Sequence, residues 1–187
     1  AMLADSSDAD GPCLKSSNAA KANSESGLTF KVKQPIKLSF SFKVSSESGY
    51  DYMKVLLNSK DLNSTSKANY SGEKDWTTYE CTADAGDMLR ICYYKDSSGN
   101  KGSDALWLRG FEAQMLPCVT FHSNDGADDS VLQAITSDTL TLKATAFTRA
   151  GYRFMGWAET EDGEVAYGDK DKLSLSEPED FDLYAVW

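Results

Sequence analysis

Apolar and polar residues alternate between Leu28 and Val44. Leu28, Phe30 and Val32 are separated by Thr29 and Lys31, and Ile36, Leu38, Phe40, Phe42 and Val44 by Lys37, Ser39, Ser41 and Lys43. A period of two is what an antiparallel strand requires when one face is buried and the other wet. Pro35 lacks an N–H for the ladder, so the pattern predicts a hairpin of 28–32 with 36–44 that turns there. Further strands are predicted at 52–57, 76–81, 88–94 and 105–111. The turn-rich breaks 45–49, 58–72, 83–86 and 96–103 separate them. The Ser-, Ala- and Asp-rich stretch up to about Ser26 is expected to hold at most one edge strand. Short strands without helical spacing predict a β-sandwich or jelly roll, with binding loops at its ends.

The pattern changes at Cys118. Val119 and Phe121 alternate with Thr120 and His122, Asn124-Asp125-Gly126 makes a turn, and apolar runs follow at 131–135 and 140–144. Phe147-Thr148-Arg149-Ala150-Gly151-Tyr152-Arg153-Phe154-Met155-Gly156-Trp157 is the strongest local motif of the chain. Tyr152 and Phe154 share a face, and a bulge at Gly156 is needed to bring Trp157 to the same core. The final run, Phe181-Asp182-Leu183-Tyr184-Ala185-Val186-Trp187, is apolar on both faces and so predicts a central strand.

Charge sharpens this division. The 187 residues carry 19 Lys+Arg against 29 Asp+Glu, a formal net charge of −10. Residues 1–117 hold 14 basic and 15 acidic side chains, and residues 118–187 hold 5 and 14. Such a balance disfavours nucleic-acid partners, which select clustered Lys and Arg. No apolar run approaches the roughly 20 residues of a membrane helix, and none is expected to insert in a bilayer. A single histidine, His122, excludes sites built on two imidazoles. The opening Ala1-Met2-Leu3-Ala4 runs straight into acids, unlike a secretory leader.

Cys13, Cys81, Cys92 and Cys118 form no CxxC pair, which argues against structural zinc. Side-chain parity turns Cys81 inward and Cys92 outward, so they are not expected to bridge. Free buried thiols and a Cys13–Cys118 disulfide both stay open.

Two resemblances follow from ordered blocks. Ser45-Ser46-Glu47-Ser48-Gly49-Tyr50-Asp51-Tyr52, Asp75-Trp76, Ala85-Gly86, Tyr93-Tyr94-Lys95-Asp96 and Gly102-Ser103-Asp104-Ala105-Leu106-Trp107 resemble a jelly-roll module of bacterial surface and secreted proteins. That module is similar to MAM-like and carbohydrate-binding-like sandwiches. The block ending in Gly156-Trp157 and the Leu183-Tyr184-Ala185-Val186-Trp187 close resemble the Listeria–Bacteroides repeat, the B repeat of internalins. This second resemblance implies a compact β-grasp-like unit, often in tandem, serving as a stalk or interaction unit. Ser123-Asn124-Asp125-Gly126 departs from the family's usual Asn-Gly-Gly turn.

Candidate chemistry is sparse. Nothing orders Ser, His and Asp into a triad, and no Gly-x-Ser-x-Gly elbow is present; His122 is expected on the polar side of its strand. Glu159, Glu161, Asp162 and Glu164 read as a solvated acidic loop rather than glycosidase acids. Asp96, Ser98 and Asn100 have calcium-loop spacing, but Lys101 and Trp107 stand where an EF-hand needs Gly and Glu. A looser calcium site joining Asp51, Asp96 and Asp104 is one expectation, and plain turn-capping by these acids is the other. Tyr50, Tyr52, Tyr94 and Trp107 lie near loops and could offer rings to a sugar, although Trp107 is also a natural core residue.

Taken together, the sequence predicts a mainly β protein. A jelly-roll-like antiparallel β-sandwich is expected over 1–116 and a small β-grasp-like repeat over 117–187. The expected role is non-enzymatic: adhesion or ligand presentation by a piece of a longer bacterial surface or secreted protein, monomeric as this chain. Its expected partner is a glycan or a surface protein of a host or neighbouring cell. A carbohydrate-binding module of a secreted glycan-active protein and a purely structural stalk are the alternatives.

Overall fold

The computed structural model describes residues Ala1–Trp187. They divide into two compact units: Ala1–Val32 with Lys37–Gln114, and Lys33–Ile36 with Met115–Trp187.

The first unit contains β1 (Met2–Asp5), β2 (Cys13–Ser16), β3 (Ser24–Lys31), β4 (Ile36–Ser45), β5 (Tyr52–Leu57), β6 (Lys60–Asp61), β7 (Glu73–Ala83), β8 (Met88–Lys95) and β9 (Ala105–Met115). Its two sheets have the orders β1-β2-β9-β4-β7 and β3-β8-β5-β6. From β2 onward every step except β5 to β6 crosses from one sheet to the other. This wrapping is the jelly-roll order, and the expected sandwich is present. Alternation supplies the interior: Leu38, Phe40, Phe42 and Val44 from β4, Met53 and Val55 from β5, Leu89, Ile91 and Tyr93 from β8, and Leu106 and Leu108 from β9 are all buried. Apolar area removed from water stabilises this core at roughly 25 cal/mol per Å².

Two local expectations are corrected. The stretch before Ser26 forms two strands, β1 and β2, paired from Met2↔Ser16 to Asp5↔Cys13. The predicted hairpin does not form, because β3 and β4 belong to different sheets. Alternation reports which face is buried, and it is silent about the neighbour. Val32 instead extends the β3–β8 ladder: its N–H donates to Asp87 O at 2.8 Å, and Gly86 N–H donates to Val32 O at 2.8 Å. Cys81 and Cys92 do not bridge, as expected: they follow one another on β7 and β8 but lie in separate sheets. Cys92 faces outward as parity predicts, yet it is buried between Gly27 and Lys54 in register. All four cysteines are free thiols.

The second unit contains β10 (Cys118–His122), β11 (Ser130–Ala134), β12 (Thr139–Thr141), β13 (Gly156–Ala158), β14 (Lys172–Ser174) and β15 (Phe181–Val186). A four-stranded sheet has the order β11-β10-β15-β13, and β12 and β14 pair separately. β15 runs parallel to β10 and antiparallel to β13, so the last strand is central, as its two-faced pattern predicts. Val119, Phe121, Ile135, Leu140, Leu142, Trp157, Leu173, Leu183 and Ala185 form the core. Trp157 is its centre, with ring centroids 4.7 Å from Phe121 and 4.9 Å from Phe154. Gly156 makes this placement feasible. Its φ is +147°, and a Cβ there would lie 2.5 Å from Val165 Cγ1 and 2.7 Å from Tyr167 O. Tyr152 departs from the shared face expected for it: it is 59% exposed, with the Arg149 guanidinium 4.2 Å from its ring centroid. Tyr152 closes the turn that contains Gly151, φ +82°, its N–H donating to Arg149 O at 3.1 Å, and only Phe154 beyond it packs on the core.

Candidate functional site

The inward alternation of β8 continues past Leu89, Ile91 and Tyr93 to Lys95, which buries an ammonium at one end of the sandwich. Lys95 Nζ donates to Asp51 Oδ2 at 2.9 Å, to Ser98 O at 2.9 Å and to Gly99 O, and lies 3.9 Å from Asp104 Oδ1. The Lys95 and Asp51 side chains are 1% and 0% exposed. Tyr93 Oη donates to Asp104 Oδ1 at 2.7 Å, and Ala20 N–H donates to Asp104 Oδ2 at 2.6 Å. Burial pulls the Lys95 pKa down, but the bond to Asp51 and the charges of Asp104 and Asp51 outweigh it and hold it above the ordinary lysine value.

This cluster bears directly on the expected calcium site. Asp51 and Asp104 do come together, but around an ammonium. Asp51 Oδ1 also accepts the Asp96 N–H at 2.8 Å, while the Asp96 carboxylate caps its own turn by accepting Ser98 N–H at 2.8 Å. Glu47, Asp51 and Asp96 carboxylate oxygens lie within 4.8 Å of one another. A divalent ion on Asp51 would nevertheless meet the ammonium across a single carboxylate. With Lys95 in place these residues fit a lysine and do not fit calcium.

The four candidate ring residues are distributed over different surfaces. Tyr52 and Tyr94 are directly opposite on the outward face of β5 and β8, their centroids 5.7 Å apart. Lys54 Nζ lies 3.6 Å from the Tyr94 centroid and 3.0 Å from Glu25 Oε1, and Glu25 Oε2 pairs with Arg90 at 3.0 Å. Tyr52 is locked, 3% exposed, with its Oη donating to Asp61 Oδ2 at 2.8 Å. Burial and this bond push its phenol well above the ordinary range. Tyr50, 61% exposed on the loop after β4, is the open ring of the group.

Trp107 lies on the other sheet, 6% exposed, and is one member of a row that sequence reasoning missed. Across β2, β9, β4 and β7 stand Lys15, Trp107, Lys43 and Trp76. Lys15 Nζ is 4.9 Å from the Trp107 centroid, and Lys43 Nζ lies 5.6 Å from Trp107 and 5.8 Å from Trp76. The Arg109 guanidinium stacks 3.9 Å from Trp76. Such cation–π contacts are each worth roughly 0.5–1 kcal/mol at exposed sites. The β1–β2 segment crosses this row with three carboxylates. Asp5 Oδ2 accepts Trp107 Nε1–H at 3.2 Å, Asp8 Oδ2 pairs with Lys43 at 2.9 Å, and Asp10 Oδ2 accepts Trp76 Nε1–H at 3.0 Å. The available signal was parity: Trp107 sits between the inward residues Leu106 and Leu108 and therefore must face out.

In the second unit, His122 Nε2 lies 2.8 Å from Asp182 Oδ1, and its ring stacks on Tyr184 with centroids 4.6 Å apart. Glu159, Tyr167, Glu177, Phe181, Asp182 and Tyr184 help to line an acidic groove of about 460 Å³. Glu161, Asp162 and Glu164 are exposed, as expected of a solvated loop. No helix is long and apolar enough to cross a membrane.

No curated protein matches the chain. The secreted serine protease VesC from Vibrio cholerae is similar in structure at 22% identity and a TM-score of 0.38, over 55% of this chain and 21% of that one. Residues 118–186 match the family model of the Listeria-Bacteroides repeat domain, a repeat found in bacterial surface proteins.

Proposed function

We propose that this chain is a non-enzymatic piece of a bacterial surface or secreted protein that works outside the cell in adhesion or ligand presentation. In this reading the sandwich is the binding head and the repeat its spacer. The repeat match over residues 118–186 carries the proposal. The jelly-roll strand order of the first unit agrees with a binding module of the MAM-like or carbohydrate-binding-like kind. The repeat's acidity keeps a stalk soluble and self-repelling. The nearly neutral sandwich is free to meet a glycan or a protein on a host or neighbouring cell.

One observation favours a carbohydrate-binding head: Tyr50 is open, and Tyr94 carries Lys54 on an outward sheet face. Stacked rings with nearby charged groups are how sugars are held. The test is glycan-array binding by the full chain beside Tyr50→Ala and Tyr94→Ala. Saturable binding weakened by either change supports the head. Silence across a broad panel of glycans and cell-surface proteins leaves only the stalk.

A further inference from the structure

We propose that the outward face of β9, β4 and β7 is a binding site for carboxylated glycans, occupied at rest by the chain's own Asp5, Asp8 and Asp10. This rests on the sandwich being a binding head, and it gives that head a second face and a ligand class.

The chemistry of the row is specific. Trp76 and Trp107 present indole rings, Lys15, Lys43 and Arg109 present charge between and over them, and both indole N–H groups point at carboxylates. Ring faces suit the C–H faces of a sugar, and interleaved cations suit a uronic-type carboxylate on each residue of the polymer. The β1–β2 segment displays the anion spacing that the row accepts, because its three acids each meet an indole or a lysine of the row.

The turn between β1 and β2 is held to the row by replaceable contacts. Asp8 and Lys43 form one ion pair, Arg109 Nη1 donates to Asp10 O at 2.6 Å, and Cys13 Sγ lies 3.6 Å from Asp5 O. The β1–β2 ladder from Met2↔Ser16 to Asp5↔Cys13 stays in place, so the part free to move is the 6–10 turn and the Asp5 side chain. The turn's other bonds, Ser7 N–H to Asp5 Oδ1 at 2.9 Å, Asp10 N–H to Asp8 Oδ1 at 3.0 Å and Gly11 N–H to Asp8 O at 3.1 Å, are internal to it. A polyanion carrying the same groups at high local density therefore competes for the row, leaving the rest of the sheet untouched. With the three acids of this strap displaced, the charges left beside Trp76 and Trp107 are Lys15, Lys43 and Arg109.

The test uses the full chain and polygalacturonate, with its methyl-esterified form as the uncharged control, in affinity electrophoresis at low salt. Wild type should be retarded by the acid and not by the ester. Asp8→Asn/Asp10→Asn should bind about tenfold more tightly, the equivalent of 1.4 kcal/mol. Lys43→Gln, which leaves the indole bonds in place, should abolish retardation even if the Asn variant fails to fold. The inference is overturned if the Asn variant gains nothing or if the ester retards equally. It is likewise overturned if dextran sulfate binds as well and Trp76→Ala makes no difference, which is plain charge attraction. Glycan binding lost in Tyr94→Ala but intact in Trp76→Ala would keep the binding head and discard this face.

Discussion

Replacing Lys95 by Met tests whether the buried ammonium organises its end of the sandwich. Met matches the lysine stem in length and fills the space with apolar atoms, so the change removes charge and hydrogen bonds rather than volume. What it leaves behind is Asp51, 0% exposed, still accepting the Asp96 N–H but without a counter-ion. Breaking a fully buried pair by deleting one partner costs about 3–5 kcal/mol, because the orphaned charge must stay desolvated or bind a proton. For a domain near 100 residues, 1 kcal/mol moves the midpoint by roughly 4–8 °C, so the loss should exceed about 12 °C. Thermal and urea unfolding followed by near-UV circular dichroism would read it. The double variant Lys95→Met/Asp51→Leu removes both charges and should recover most of the stability, giving a coupling energy well above the roughly 0.5 kcal/mol of independent sites. Lys95 has a raised folded pKa, so its contribution is complete below the ordinary lysine value near 10.5 and fades as pH rises through the folded value. A single-variant loss under about 1 kcal/mol, or simple additivity in the double, would refute the reasoning.

Other outcomes follow from the same geometry. Chelator or millimolar calcium should leave the wild-type melting temperature unchanged, since Lys95 already neutralises Asp51; a calcium-dependent rise of several degrees would contradict the fit argued for this cluster. Gly156→Ala should destabilise the repeat by about 1–3 kcal/mol through left-handed strain and the contacts with Val165 and Tyr167 O, measured by urea unfolding of the full chain. Burial raises the pKa of all four thiols, and Cys92 is fully enclosed. In native protein at pH 8, mass-mapped alkylation should leave Cys92 unmodified long after the partly exposed Cys81 has reacted. Asp8 has a lowered pKa, caused first by its bond to Lys43, so the strap should hold at pH 5 and loosen only below the ordinary carboxylate value of 3.8. Quenching of Trp76 and Trp107 fluorescence by acrylamide, followed down the pH scale, reports its release.

Much of the fold was legible because period-two alternation is a one-dimensional trace of burial. It located β4, β5, β8, β9 and β10 and put β15 at the centre of its sheet. Partnership was not legible. The step from Val32 to Ile36 carries a proline and looks like a turn, but it is a crossing between sheets, because β3 finds its ladder on β8. The calcium expectation overlooked a cation supplied by the chain itself. Asp51 and Asp104 were rightly drawn to one place, but the cation they surround is Lys95, adjacent to Asp96 in sequence and counted there only as part of a motif. The Trp76–Trp107 row needed two facts that no local window contains: the adjacency of β2, β9, β4 and β7, and the return of Asp5, Asp8 and Asp10 across them.

The parallel pairing of β10 with β15, from Val119↔Phe181 to His122↔Tyr184, sets how the repeat meets mechanical load. Tension applied at its two ends pulls these neighbouring strands in opposite directions along their length. All the hydrogen bonds between them are then sheared together rather than unzipped one after another. Forced unfolding is governed by that rupture barrier rather than by equilibrium stability. A bead of this kind can be thermally modest and still hold its length in flowing fluid, which single-molecule stretching of the repeat would read as a high, narrow rupture force.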